Sequence, residues 1–386
     1  MRHHNSVLHG LLKHVPWGTF DKLVTAHRAD ARVRRLSTKS QLVALLYAQL
    51  SGAASLREIE TAMASHCSRL YHLGAREVSR STLADANALR PHAVFSGLLA
   101  HMVAMASRNM RRKTQEAVRL IDSTGIRLAG LAAEWARFSS SGVCGAKAHV
   151  IYDPDAELPL YLEVTPARIN DITPAKAMPI EPGATYVFDL GYYDYGWWAQ
   201  LHGAGCRIVT RLKSNTPLRL VHEQGLPAGS DLVYDRIGLL PERLKTTRKN
   251  PFAEPVREIG VRLEDGKVLR ILSNDLEAPA QHIADLYKRR WAIELFFRFV
   301  KQTLRIRHFI GRSENAVRIQ IAVALIAYLL LKLARDAART LQHSPLTFAR
   351  LVRANLMHRK RIDTMLAPQP TPPPCQDQLC FTWAQP

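Results

Sequence analysis

Three acidic residues stand out by where they sit in the chain. Asp122 follows the apolar run "AVRLI", and Asp189 follows "TYVF". Each reads as a carboxylate at the end of a buried strand, a costly position unless the group binds something or meets a cation. The third, Glu294, lies in "YKRRWAIELFFRFVK", residues 287 to 301, as the lone acid among Lys288, Arg289, Arg290, Arg298 and Lys301. Two strand-terminal aspartates in one sheet, completed by a glutamate from a helix packed nearby, form an all-oxygen donor set suited to hard divalent cations. Two such ions beside Arg and Lys are what cutting a nucleic-acid backbone requires.

The helix geometry is consistent with that chemistry. At about 100° per residue, Tyr287, Arg290, Glu294, Arg298 and Lys301 fall on one stripe. Ile293, Phe297, Val300 and Leu304 form the adjacent stripe, which would pack on a sheet. The same spacing also fits an ordinary helix with i,i+4 ion pairs, Arg290–Glu294 and Glu294–Arg298. The residues by themselves leave both readings open.

Composition narrows the class. With 386 residues and 47% hydrophobic, the chain can fold over most of its length into two or three domains. There are 53 Lys plus Arg against 33 Asp plus Glu, a formal charge of +20, which points to a polyanionic partner, most simply nucleic acid. The five cysteines are scattered, as free thiols in a reducing cytosol would be. Cys375 and Cys380 lack the second pair or nearby histidine of a zinc site. The N-terminus carries no signal-peptide pattern, and the most apolar run, Ile321 to Leu331, is short for a bilayer and reads as a buried helix. A cytoplasmic protein without a membrane partner is expected. No Gly-rich phosphate loop occurs, so ATP is not expected.

Around the acids, the elements fall in blocks. Residues 1–113 read as helical. "STKSQLVALLYAQLSGAASLREIETAMASH" gives two helices broken at Ser51-Gly52, with Ser55 and Glu58 at capping-box spacing, and "SRSTLADANALR" gives a third, stopped by Pro91. The short turn permits a helix-turn-helix. Arg28, Arg32, Arg34, Arg35 and Lys39 precede these helices, and Arg108, Arg111, Arg112 and Lys113 follow them. They read as phosphate contacts or as a solvated face. Residues 114–213 turn to strands, with a hairpin through Pro154-Asp155 and a short helix at "ITPAKAMP". Residues 214–277 are strand-like, with a hairpin at Asp265-Gly266. Helix returns over about 278–302 and again over about 313–340, and 341–386 reads as a basic, Pro-rich tail. Asp153, Asp155 and Asp194 read as turn residues, and His149 as a core histidine.

The motifs resemble a known family. Tyr287, Arg290, Glu294 and Lys301, at spacings of three, four and seven, resemble the Y-R-E-K signature of bacterial insertion-sequence transposases of the DDE class. "LIDSTGI" is similar to the segment with that family's first catalytic Asp, and "VFDLGYYDY" to its D-x-G-Y segment; the resemblance spans roughly residues 5 to 335. It implies an α/β fold: a ribonuclease H-like mixed sheet flanked by helices, an all-α N-terminal region, and a β-rich insertion before the last catalytic carboxylate. It further implies a DNA transposase, with Asp122, Asp189 and Glu294 as catalytic metal ligands for Mg²⁺, or Mn²⁺ as substitute. Tyr287, Arg290, Arg298 and Lys301 would contact DNA, and the partners would be double-stranded transposon ends and target, with a homodimer in the DNA complex. A nuclease or resolvase of the same fold, or an inactive DNA-binding relative, are the alternatives. One departure stands out. Some relatives cut through a hairpin intermediate and stack a flipped base on a Trp in the insertion, and residues 214–277 contain no Trp. Trp197, Trp198 and Trp291 are the nearest substitutes, and core packing is the competing reading for each.

Overall fold

The computed structural model describes residues 5–31, 33–110, 116–128, 145–226, 231–243, 248–304, 309–311, 313–338 and 344–362. Arg32, Arg111, Arg112, Lys113, Cys144 and the Pro-rich end with Cys375 and Cys380 lie outside the described residues. The helical block runs α1 (Val7–Leu12), α2 (Trp17–Ala26), α3 (Thr38–Ser51), α4 (Leu56–Ser65), α5 (Cys67–Leu70), α6 (Arg80–Leu89) and α7 (Ala93–Met110). Its boundaries follow local chemistry. Ser37 caps α3 by accepting from the Ser40 amide at 3.2 Å, and Gly52, at φ +83°, ends it in the left-handed region. Ser55 caps α4, while Glu58 reaches back to the Ala54 amide at 2.8 Å.

Next come β1 (Val118–Arg127), β2 (Gly145–Asp153), β3 (Leu158–Pro166), α8 (Ile172–Ala175), β4 (Thr185–Val187), α9 (Tyr195–Gly203) and β5 (Arg207–Arg211). β1, β2 and β3 pair antiparallel, whereas β1, β4 and β5 run parallel. This is the ribonuclease H-like α/β arrangement expected from the resemblance. The strand-rich segment follows as β6 (Arg219–Glu223), β7 (Leu232–Leu239), β8 (Val256–Arg262) and β9 (Val268–Ser273). It does not fold apart from the core. β9 pairs antiparallel with β5, so the four strands continue the same sheet in the order β3-β2-β1-β4-β5-β9-β8-β7-β6. Gly266, at φ +79°, makes the β8–β9 turn.

Among the described residues, four helices follow: α10 (Ala280–Arg289), α11 (Trp291–Gln302), α12 (Glu314–Ala337) and α13 (Pro345–Asn355). α10 and α11 were expected as one helix but break at Arg290. There the bonding tightens to i→i+3, from the Arg290 amide to Tyr287 and from the Ile293 amide to Arg290. α12 is long and apolar enough to cross a membrane, yet 83% of its apolar window is buried inside the protein. α3, α6, α7, α1 and α13 pack around it. A helix that is apolar all round must be enclosed in this way. α3 is enclosed too, so in a helix-turn-helix reading only α4 keeps an exposed face. The N-terminal helices therefore share one core with the C-terminal ones. The segment assigned to the tail contains α13, capped by Ser344, and the chain beyond it accepts amide bonds from Val7 and Leu8.

One buried ion pair ties the added strands to the last helices. Arg257 on β8 meets Asp235 on β7 at 2.7 Å, with side chains only 4% and 2% exposed. Arg257 also donates to the carbonyls of Leu276 and Ala278, just ahead of α10. Asp235→Ala would strand the guanidinium in the interior, a defect that costs about 3–5 kcal/mol. The expected result is a matching drop in unfolding free energy by urea titration; a loss under about 1 kcal/mol would show that the carbonyls alone satisfy Arg257.

Candidate active site

The sheet register sets the first two carboxylates. Leu120 on β1 and Val187 on β4 are the last residues paired between these parallel strands. Asp122 and Asp189 each lie two residues further on. β4 stops there, while β2 keeps pairing with β1 through Arg127, so Asp122 stands mid-strand rather than at the strand end expected from the sequence. Both carboxylates thus border the crevice that opens where parallel strands diverge. The Asp122 Oδ1 accepts from the Ser123 amide at 2.7 Å. The Asp189 Oδ1 accepts from the Gly191 amide at 2.8 Å and caps a short 3-10 turn, Leu190–Tyr192. A Cβ on Gly191 would stand 3.0 Å from that oxygen and 3.4 Å from Asp171 Oδ2, so the bare glycine lets both acids approach the loop.

α11 delivers the third. Ile293, Phe296, Phe297 and Val300 are buried, and the helix packs on β1 and α12, with Phe296 stacked on Tyr152 of β2 at 4.9 Å. Glu294, in the first turn, then faces the cleft. Arg290 at the helix break links the group: its Nη2 donates to Glu294 Oε1 at 2.7 Å, and its Nη1 lies 3.8 Å from Asp122 Oδ2. The Arg290–Glu294 pair of the ordinary-helix reading therefore forms, and the same guanidinium also faces Asp122. Tyr287 lies beneath, its ring 5.8 Å from the Arg290 guanidinium carbon. Arg298 is exposed one turn beyond Glu294, and Lys301 is partly exposed two turns on.

The electrostatics record this crowding. Burial, then the nearby charges of Asp189 and Glu294, push the Asp122 carboxyl up to about 7, against the Ser123 amide and Arg290, which favour its ionised form. Burial, with Asp122, Asp171 and Asp189 beside it, holds the Tyr192 phenol protonated, and its hydroxyl is buried without a hydrogen-bond partner. Burial raises the Tyr287 phenol, opposed by Arg290 and Arg211. An oxygen-only set of mutually repelling carboxylates fits a hard divalent cation. As they lie, no three acidic, histidine or cysteine side chains among the described residues are placed to share one ion. Arg290 fills the space between two of them.

Two site residues were not anticipated. Asp171, five residues past β3, accepts from the Ser123 hydroxyl and from Lys147, each at 2.9 Å. Nothing in "RINDITP" marks it, because the loop rather than a strand end carries it to the cleft. Arg211 closes β5 and acts on Tyr287. The residues set aside behave as turns and core. Asp153 accepts from the Asp155 and Ala156 amides, and Asp194 caps α9. Trp197 and Trp198 are buried, and Trp291 is half exposed.

The chain is similar to known proteins. Residues 113–330 match the family model described as a transposase DDE domain, and residues 3–76 match a domain of unknown function, DUF4372. A Sinorhizobium fredii protein named "Putative transposase y4zB" is 40% identical over 77% of this chain and 83% of its own length. A Geobacillus stearothermophilus protein named "Probable transposase for insertion sequence element IS5377" is 28% identical over 68% and 69%. Among solved structures, a piggyBac transposase synaptic complex with hairpin DNA aligns over 95% of this chain and 83% of that one, at 12% identity and a TM-score of 0.45.

His149 on β2 backs the Asp171 corner. It is fully buried, its Nε2 is 2.8 Å from the Thr165 hydroxyl, and its Nδ1 lies 3.8 Å from Asp171 Oδ1 without a hydrogen bond. Burial lowers its pKa from 6.5 to about 4, so the folded state keeps the ring neutral where the unfolded chain takes up a proton. Stability present at neutral pH is then lost as pH falls from about 6.5 towards about 4. Relative to His149→Gln, the wild-type protein should lose about 2–3 kcal/mol more on going from pH 7 to pH 4.5. Urea titrations at the two pH values measure it, and parallel losses would refute the assignment.

Proposed function

The chain belongs to the DDE transposases, DNA-acting, metal-dependent polynucleotidyl transferases, and on that premise we propose which residues carry the chemistry. Asp122, Asp189 and Glu294 form the catalytic set, within the Y-R-E-K group of insertion-sequence enzymes. The protein binds the ends of its element as double-stranded DNA, works as a homodimer in that complex, and acts on DNA in the bacterial cytoplasm. One observation supports the reading most. Two aspartates sit at equal distance past the last pair of adjacent parallel strands, and the helix bearing Glu294 packs across one of them.

The three carboxylates would hold divalent ions, Mg²⁺ with Mn²⁺ as substitute, which when bound supply Lewis-acid activation of water or a DNA 3′-hydroxyl and stabilise the leaving oxygen. The remaining steps fall to the chain itself. Arg290, Arg298 and Lys301 contact the phosphates at the cut rather than base edges, because they share the helix face of Glu294. Tyr287 buttresses Arg290 from below. Asp171, itself held by Lys147, accepts from the Ser123 hydroxyl and so fixes the strand beside Asp122.

Glu294→Gln separates binding from chemistry. The amide keeps the shape that packs through Ile293 and Phe297, and it removes the charge a hard cation needs. Strand cleavage on the element's own ends should fall by more than about a hundredfold, the scale seen when one charge-stabilising group is removed, while gel-shift affinity holds or rises. Near wild-type cleavage would reduce Glu294 to the Arg290 ion-pair partner. Lys301→Ala should weaken end binding about equally across sequences and lower the salt slope by about one unit. Altered sequence preference at an unchanged slope would contradict the phosphate role.

A further inference from the structure

We propose that Arg290 is the resident counter-ion of Asp122 and Glu294 in the metal-free protein, and that metal and DNA displace it together: the cation takes the carboxylates and a DNA phosphate takes the guanidinium. The inference rests on reading these carboxylates as the metal site.

The geometry leads to it step by step. The Arg290 fork donates to Glu294 at 2.7 Å and faces Asp122 at 3.8 Å, so its positive charge lies where an ion shared by these two acids would have to lie. A guanidinium and a divalent cation carry like charge, so placing both between the same two carboxylates is opposed by their mutual repulsion. The resting arrangement also leaves Arg290 short of acceptors, since its Nε is buried with none. A planar fork of donors matches a phosphate in two-point contact. Phosphate binding would satisfy the donors that Glu294 and Asp122 leave unmet. Arg290 stands at the corner between α10 and α11, where bonding is i→i+3 and neither helix includes it.

The exchange has a consequence for regulation. If a phosphate draws Arg290 away, DNA raises the affinity for metal, and by linkage metal raises the affinity for DNA by the same factor. Without DNA, the arginine competes with the ion. The cleft is then held closed to metal until a backbone arrives, which guards against cutting by a loaded but empty enzyme.

The test is an Mn²⁺ titration of the full-length protein, read from the paramagnetic resonance of the free ion, with and without a 30-base-pair duplex of unrelated sequence. Wild-type affinity for Mn²⁺ should rise by about fivefold or more when the duplex is present. Arg290→Gln should bind Mn²⁺ about tenfold tighter than wild type in the absence of DNA, and lose most of the enhancement by DNA. Arg290→Lys, which keeps the charge without the fork, should fall between the two. An Arg290→Gln affinity equal to or below wild type, with Asp122→Asn abolishing Mn²⁺ binding, would overturn the exchange and leave the metal site standing. Undiminished Mn²⁺ binding in Asp122→Asn would overturn the metal site and the exchange with it. Wild-type affinity unaltered by the duplex would overturn the exchange without recourse to any variant.

Discussion

Carboxylates gathered at the end of a buried sheet repel one another, and this fold exists to hold them there. Burial first, and then the charges of Asp189 and Glu294, raise the Asp122 carboxyl to about 7. Holding such a group together takes rigid walls. Asp122 is fixed by a strand paired on its β2 side along its length, and Asp189 by a turn that its own side chain caps. Glu294 is fixed by a helix with four buried anchors. Arg290 relieves part of the strain between two of the acids.

The added strands serve the same end. By continuing the sheet beyond β5, they give α10 a floor, and α10 packs on β5, β8 and β9. The Arg257–Asp235 pair fastens the approach to that helix from below. At the other end, Arg289 pairs with Asp155 in the β2–β3 turn. α10 is thus braced at both ends, the second brace lying at Arg289, next to Arg290.

Much of this could be read from residue order, and the reasons are physical. Strand-then-aspartate is visible because β-strand apolar runs are short and the charge that ends them is conspicuous, as in "TYVFD". The cap at Ser55 follows from short-range chemistry, and so do the breaks at Gly52 and Gly266. What escaped depends on partners distant in sequence. Asp171 reaches the cleft through a loop, and its role is defined by Ser123 and Lys147, 48 and 24 residues away. Periodicity alone could not reveal the break at Arg290, because both halves keep the same apolar face. α13 was hidden by the Pro-rich composition that follows it, although Ser344 and Pro345 form an ordinary helix start.

The enclosure of α12 also sets an order of events in the cell. α1 and α3, at the front of the chain, bury their apolar faces against α12 and α13 at the back. Roughly 260 residues separate the end of α3 from the start of α12. At synthesis rates of roughly 5–20 residues per second, the leading helices wait on the order of 15–50 s for their partners. Over that interval the apolar helices at the front stand without their final cover while the acids of β1 and β4 are already made. The core that holds the active centre is completed only when the last helices leave the ribosome, so a chain cut short before α12 carries all three of its acids and no enclosed core to hold them.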